Sequence, residues 1–124
     1  MKRALSAFLA LVVAAVAHGH HSFPSMYDLN QEVTIKGTVV AIMLRNPHTV
    51  IQVMAPASDG QLYRWAIEWA AAGTLERTTG GVLLKPGDRV IVRGAPGRNP
   101  ADHKLRLTAI VRPSDGWKWG GKFD

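Results

Sequence analysis

From Glu32 onward the chain falls into short runs that alternate apolar and polar residues, each stopped by glycine, proline or an Asp-Gly pair. A period of two marks a strand with one buried face. Strands this short leave an open sheet with bare edges, so closure into a barrel is the expected outcome. "EVTIKGTVVAIML" places Val33, Ile35, Gly37, Val39, Ala41 and Met43 on one side and Thr34, Lys36 and Thr38 on the other. Gly37 in mid-run predicts a bend or bulge, which a long strand needs if it is to curl around a small barrel.

"RNPH" ends that run, because proline has no amide donor and turns Asn46 away from helix. "TVIQVMA" alternates again, Asp59-Gly60 signals a hairpin, and in "LYRWAIEW" Tyr63, Trp65, Ile67 and Trp69 share a face. "AAAGTLERTT" is alanine-rich and helical in character, limited by Gly73 and the paired threonines. "LKPGD" predicts a type II turn, Pro86 fixing φ and Gly87 taking the positive φ, before a fourth strand through Val90 and Val92. A fifth strand follows in "KLRLTAIVRP", with Leu105, Leu107, Ala109 and Val111 on one face. The expected fold is therefore mainly all-β: a five-stranded OB-type Greek-key barrel with one short helix between strands 3 and 4, preceded by a signal-peptide helix.

That leader is read from Lys2 and Arg3, an apolar block through Ala17, and the small-x-small pattern Ala15-Val16-Ala17. About 14 apolar residues fall short of the roughly 20 that cross a bilayer, so cleavage with no transmembrane anchor remaining is expected. Cleavage after Ala17 makes His18 the first residue, and cleavage after Gly19 makes it His20. The chain then divides into a signal peptide at 1–17 (or 1–19), an extended histidine-containing arm at 18–30, the barrel at 31–113 and a glycine- and tryptophan-rich tail at 114–124. Export puts the mature protein in the periplasm or outside the cell. It contains no cysteine, so the core alone must hold it. Loss of Lys2 and Arg3 lowers the net charge from +6 to +4, and export removes nucleic acid from the expected partners.

The sequence "HGHHSF" is where chemistry concentrates. With His18 first, the terminal amine, the amides of Gly19 and His20 and the His20 imidazole form a four-nitrogen, square-planar set suited to Cu(II). With His20 first, its own amine and imidazole chelate, and His21 or a barrel histidine completes the site. His48, at the junction of the "NPH" turn and the second strand, is the barrel candidate; its alternative is a turn histidine bonded to a backbone carbonyl. His103 reads as an exposed loop residue and is left out. The expected ligand set is thus His18, His20, His21 and His48, and the expected cofactor is Cu(II). The alternative is a ligand- or envelope-protein-binding face built from Tyr63, Trp69, Arg93, Arg106, Trp117 and Trp119, with no metal. Trp65 is expected in the core.

"HHSF" after a signal, "IKGTV", "NPH", "WAIEW" and "LKPGDRVIVRG", in this order, resemble a family of small secreted bacterial proteins of unknown function. The resemblance implies an OB-type barrel and brings no activity or catalytic residue. The residues themselves offer no nucleophile elbow, no cysteine nucleophile and no phosphate-binding glycine loop, so no enzyme is expected.

Overall fold

The structure, a computed structural model, describes residues 23–79 and 84–121. The expected leader and the histidines at 18, 20 and 21 lie outside the described residues. In chain order the elements are helix α1 (Phe23–Met26), strands β1 (Val33–Met43), β2 (Val50–Pro56) and β3 (Leu62–Glu68), helix α2 (Ala72–Thr79), then β4 (Arg89–Pro96), a 3-10 turn (Pro100–Asp102), β5 (Lys104–Arg112) and β6 (Trp117–Gly120).

Strands pair in the order β3-β2-β1-β4-β5, and a parallel contact between β3 and β5 closes the circle. This is the five-stranded OB-type Greek-key barrel, with α2 as the short helix between β3 and β4. Closure depends on β1, whose first half pairs with β4 (Val33↔Gly94 to Thr38↔Arg89) and whose second half pairs with β2 (Thr38↔Met54 to Met43↔Val50). Gly37 sits where β1 passes from one partner to the other. A Cβ there would collide with the Met54 carbonyl oxygen and crowd the Ala55 Cβ, so only glycine lets the two backbones approach.

Alternation along β1 does not run straight through, however. The register slips between Val39 and Ala41, which leaves Val40 as an extra residue. A slip of one residue exchanges the two faces of a strand. Ile35 and Val39 are buried as the period predicts, but beyond the bulge Ile42 packs on the core in place of the expected Ala41 and Met43. β5 behaves the same way. Its register against β4 shifts between Leu107 and Ala109; Leu105, Leu107 and Ala109 are buried as expected, and Ile110 is buried in place of Val111.

The core comprises Ile35, Val39, Ile51, Val53, Trp65, Ile67, Val90, Val92, Leu105 and Ile110, with Leu75 of α2 and Leu84 covering one end. Trp65 is buried as expected and donates its indole N–H to the Ala55 carbonyl at 3.2 Å. The β2–β3 connection is a tight hairpin in which Gly60 adopts φ +80°.

One expectation differs from the structure. The segment expected to be an extended arm makes one helical turn at Phe23–Met26, which Pro24 tolerates because a first-turn residue needs no amide donor. The tail is partly a strand. β6 pairs antiparallel with β5, from Arg112↔Trp117 to Ala109↔Gly120, and prolongs the wall where β3 has ended. Asp115 makes that turn: it binds Arg112 through both carboxylate oxygens at 3.0 and 2.8 Å and accepts the Trp117 amide at 3.1 Å. Arg112 also reaches Asp88 at 2.8 Å, tying β5, β6 and the turn before β4 together.

Two predictions follow from this framework. Gly37→Ala forces β1 and β2 apart and lowers stability by about 3 kcal/mol, measured by chemical denaturation. Arg112 holds the Asp115 carboxyl down to about 2 from its ordinary 3.8. Asp88 is also lowered: burial opposes its charge, but the Lys85 amide and the Arg112 guanidinium outweigh it. Carboxyls lowered on folding stabilise the native state above their unfolded value and lose that contribution as the pH falls through the folded one. The melting temperature should therefore fall as the pH drops from about 4 towards 2, and Arg112→Gln should flatten that dependence.

Candidate functional site

Two places on the barrel bring together side chains with chemical potential. The first lies where β3 and β5 meet in parallel, with Glu68 opposite Arg106. α1 folds the arm back over this junction. Phe23 is its centre: the Arg106 guanidinium carbon lies 3.7 Å from the ring centroid and the His48 ring 4.9 Å away on a tilted plane. Tyr27, four residues on and 1% exposed, donates its hydroxyl to the Glu68 carboxylate at 2.6 Å. Burial first, and then the Glu68 carboxylate, push the Tyr27 hydroxyl above its ordinary value, so it remains a donor throughout the physiological range.

The arm is fastened along its length. Arg98 donates its Nε to the Pro24 carbonyl at 2.8 Å and its backbone amide to Met26 at 3.1 Å, and Asp28 donates its amide to Pro96 at 2.9 Å. Tyr27 also bridges Gly97 in antiparallel fashion. The loop "GAPGRNPADH" thus holds the arm from one side while β3 and β5 hold it from the other. His48, half-buried after the cis Asn46–Pro47 bond, faces Phe23 from the start of β2. Among the described residues no three His, Cys, Asp or Glu side chains cluster closely enough to hold a metal by themselves.

The second place is a cleft of about 820 Å³ between the first half of β1, the β2–β3 hairpin and the β4–β5 loop. Its wall contains Tyr63, whose ring stacks on His103 with centroids 3.8 Å apart and planes 13° from parallel. His103 also meets the Trp65 ring edge-on at 5.2 Å. The Tyr63 hydroxyl donates to Asp59 at 2.6 Å, which lowers the Asp59 carboxyl and raises the Tyr63 hydroxyl relative to their ordinary values.

The aromatic and basic residues considered together in the sequence do not form one surface. Tyr63 borders the cleft, and Trp69, Arg93, Arg106, Trp117 and Trp119 do not. Trp69 is buried, and Trp117 and Trp119 meet it edge-on at 6.4 and 5.3 Å. Arg93 lies 3.8 Å from Glu32, and Arg106 covers Phe23. The sequence reading also missed residues. His103, set aside as a loop residue, is built into the cleft wall in a left-handed conformation, φ 45°, as the cap of the 3-10 turn. The "NPADH" spacing, with Asn99 capping a turn that starts at Pro100, was the available signal. Tyr27 and Glu68 had no such signal, since their pairing spans 41 positions.

The chain belongs to a family of unknown function, DUF6152, whose model matches residues 7–106. The match takes in the arm, β1 to β4 and the start of β5, and it ends before β6 with its two tryptophans. No curated protein and no solved structure matches the chain.

Tyr27→Phe should leave the barrel folded, cost about 1–2 kcal/mol through loss of a charge-assisted hydrogen bond, and loosen the arm. Amide hydrogen exchange would register this as faster exchange at Tyr27 and Asp28, with β1 and β4 unchanged.

Proposed function

We propose that this is an exported, periplasmic or secreted, copper-binding protein in which the N-terminal histidines, freed by signal cleavage, join His48 at the barrel surface. The observation that carries this reading is the seat of Phe23 between His48 and Arg106. Covalent geometry does the rest. Two peptide units separate His21 from Phe23, so their Cα atoms are at most about 7.6 Å apart, and His20 is one unit further. A chain pinned at Phe23 therefore allows His20 and His21 to come within side-chain reach of His48. A free α-amine, imidazoles and a deprotonated amide are nitrogen donors, for which Cu(II) stands highest among the common divalent ions.

With His20 first, the chelate is its amine and imidazole, and His21 or His48 adds another nitrogen. With His18 first, the donors are those of His18, Gly19 and His20, and His48 is dispensable. The two cleavage positions therefore differ in their demand on the barrel.

A second reading places a ligand or an envelope protein on a face of Tyr63, Trp69, Arg93, Arg106, Trp117 and Trp119, with no metal. The geometry favours it less, because these side chains, Tyr63 aside, are engaged with one another, with Glu32 and with Phe23.

Calorimetric titration of the processed protein with Cu(II) tests the copper reading. The expected result is tight binding at one equivalent, lost when a methionine precedes the first histidine. His48→Ala should weaken it more than about tenfold if His20 is the terminus, since even an outer-sphere partner of a metal ligand is worth that much. Affinity should fall as the pH is lowered, because every nitrogen donor must shed its proton. Equal binding with and without the extra methionine would eliminate the terminal site.

A further inference from the structure

The cleft bordered by Tyr63 and His103 includes neither Phe23 nor His48, and its construction is that of a recognition site. Its volume of about 820 Å³ lies within the range of small-molecule pockets, roughly 300–1,000 Å³. The floor is apolar and fixed: Ile35 and Trp65 belong to the core, and the Trp65 indole is already bonded to Ala55.

The wall is more informative. His103 occupies the left-handed region, which costs a non-glycine residue on the order of 1 kcal/mol and persists only where the surroundings enforce it. Here the enforcement is visible. The His103 amide donates to Pro100 at 3.3 Å, its carbonyl accepts the Ala66 amide at 3.0 Å, and its ring lies flat on Tyr63. Tyr63 is held by Asp59, which also accepts the Gln61 amide at 2.9 Å. The result is a rigid panel two rings thick, in which Tyr63 and His103 cover each other's inner face and a ligand meets an outer one, and whose imidazole nitrogens have no hydrogen bond to any described residue. A panel fixed before binding loses little side-chain freedom when a ligand arrives.

The remaining lining decides the ligand class. Charges cancel, Asp28 and Asp59 against Arg98 and Lys104, so the cleft lacks the cationic track that a nucleic acid or a phosphorylated ligand demands. Gln31, Thr34, Ser58 and Asn99 add neutral donors and acceptors around the rim. A flat aromatic panel beside a ring of uncharged and charge-balanced hydrogen-bonding groups suits a ligand with one apolar C–H face and many hydroxyls. We infer that this cleft binds a short neutral oligosaccharide, one sugar ring lying on the Tyr63–His103 panel and its hydroxyls facing the polar rim.

The test uses the whole protein in EDTA, so that its outcome is independent of copper. Cellotetraose, maltotetraose and chitotetraose are each titrated while tryptophan fluorescence and the His103 ring proton resonances are followed. The expected result is saturable binding of at least one of them with a shift of the His103 resonances. Tyr63→Leu, which keeps a strand-compatible apolar residue, and His103→Asn, which tolerates the left-handed backbone, should each weaken it about tenfold. Trp119→Ala should leave it unchanged. Absence of saturable binding for all three sugars, or binding that survives both cleft substitutions, overturns the inference.

Discussion

The close passage of β1 over β2 at Gly37 is the contact on which the architecture depends. A single strand must belong to two half-sheets that diverge, and it does so only because the backbone of β2 comes against a residue with no side chain. The bulge that follows returns the apolar face to the interior after the turn. Without both devices the strand could serve β4 or β2, but the circle from β3 through to β5 would stay open. The bulge in β5 plays the matching part on the far side, so that Leu105, Leu107 and Ile110 all point inward along a curved path.

Closure also creates the two places where chemistry is available. Because β3 and β5 meet in parallel, Glu68 and Arg106 arrive side by side, and the arm can be gripped by one acidic and one basic group at once. Because β1 before the bend pairs with β4 and not with β2, the end of β2 and the hairpin after it stand apart from it, and the cleft lies between them. The β4–β5 loop borders both. Its Arg98 lines the cleft while its Nε binds Pro24 in the arm, so one short loop positions the elements of each.

Much of the fold was legible in the sequence because barrel strands carry their own signal. Alternation located the five barrel strands, Asp59-Gly60 and Pro86-Gly87 located turns, and the alanine-rich segment located α2. The inward faces were misread after the bulges, at Ala41, Met43 and Val111, since the period has no way of announcing that Val40 or Thr108 is the extra residue. β6 escaped notice for another reason. Its four residues hold two tryptophans but are crowded by glycines, and what makes them a strand is Arg112 gripping Asp115, a pairing visible only in three dimensions. The site was less legible than the fold. His48 could be singled out from its turn, but its neighbour Phe23 comes from 25 positions upstream, and the Tyr63–His103 panel joins residues 40 positions apart.

β6 carries one further consequence. β3 accompanies β5 only as far as Arg106, so residues 109–112 of β5 would otherwise present a row of unsatisfied amides and carbonyls to any passing chain. The closing hairpin satisfies them and stops after four residues, with Lys118 on its outer surface and glycines after Trp119. The seam is thus covered by a short strip whose outer face carries a lysine, two features that disfavour further edge pairing. A barrel without cysteines covers this stretch of its seam through the hydrogen bonds of β6.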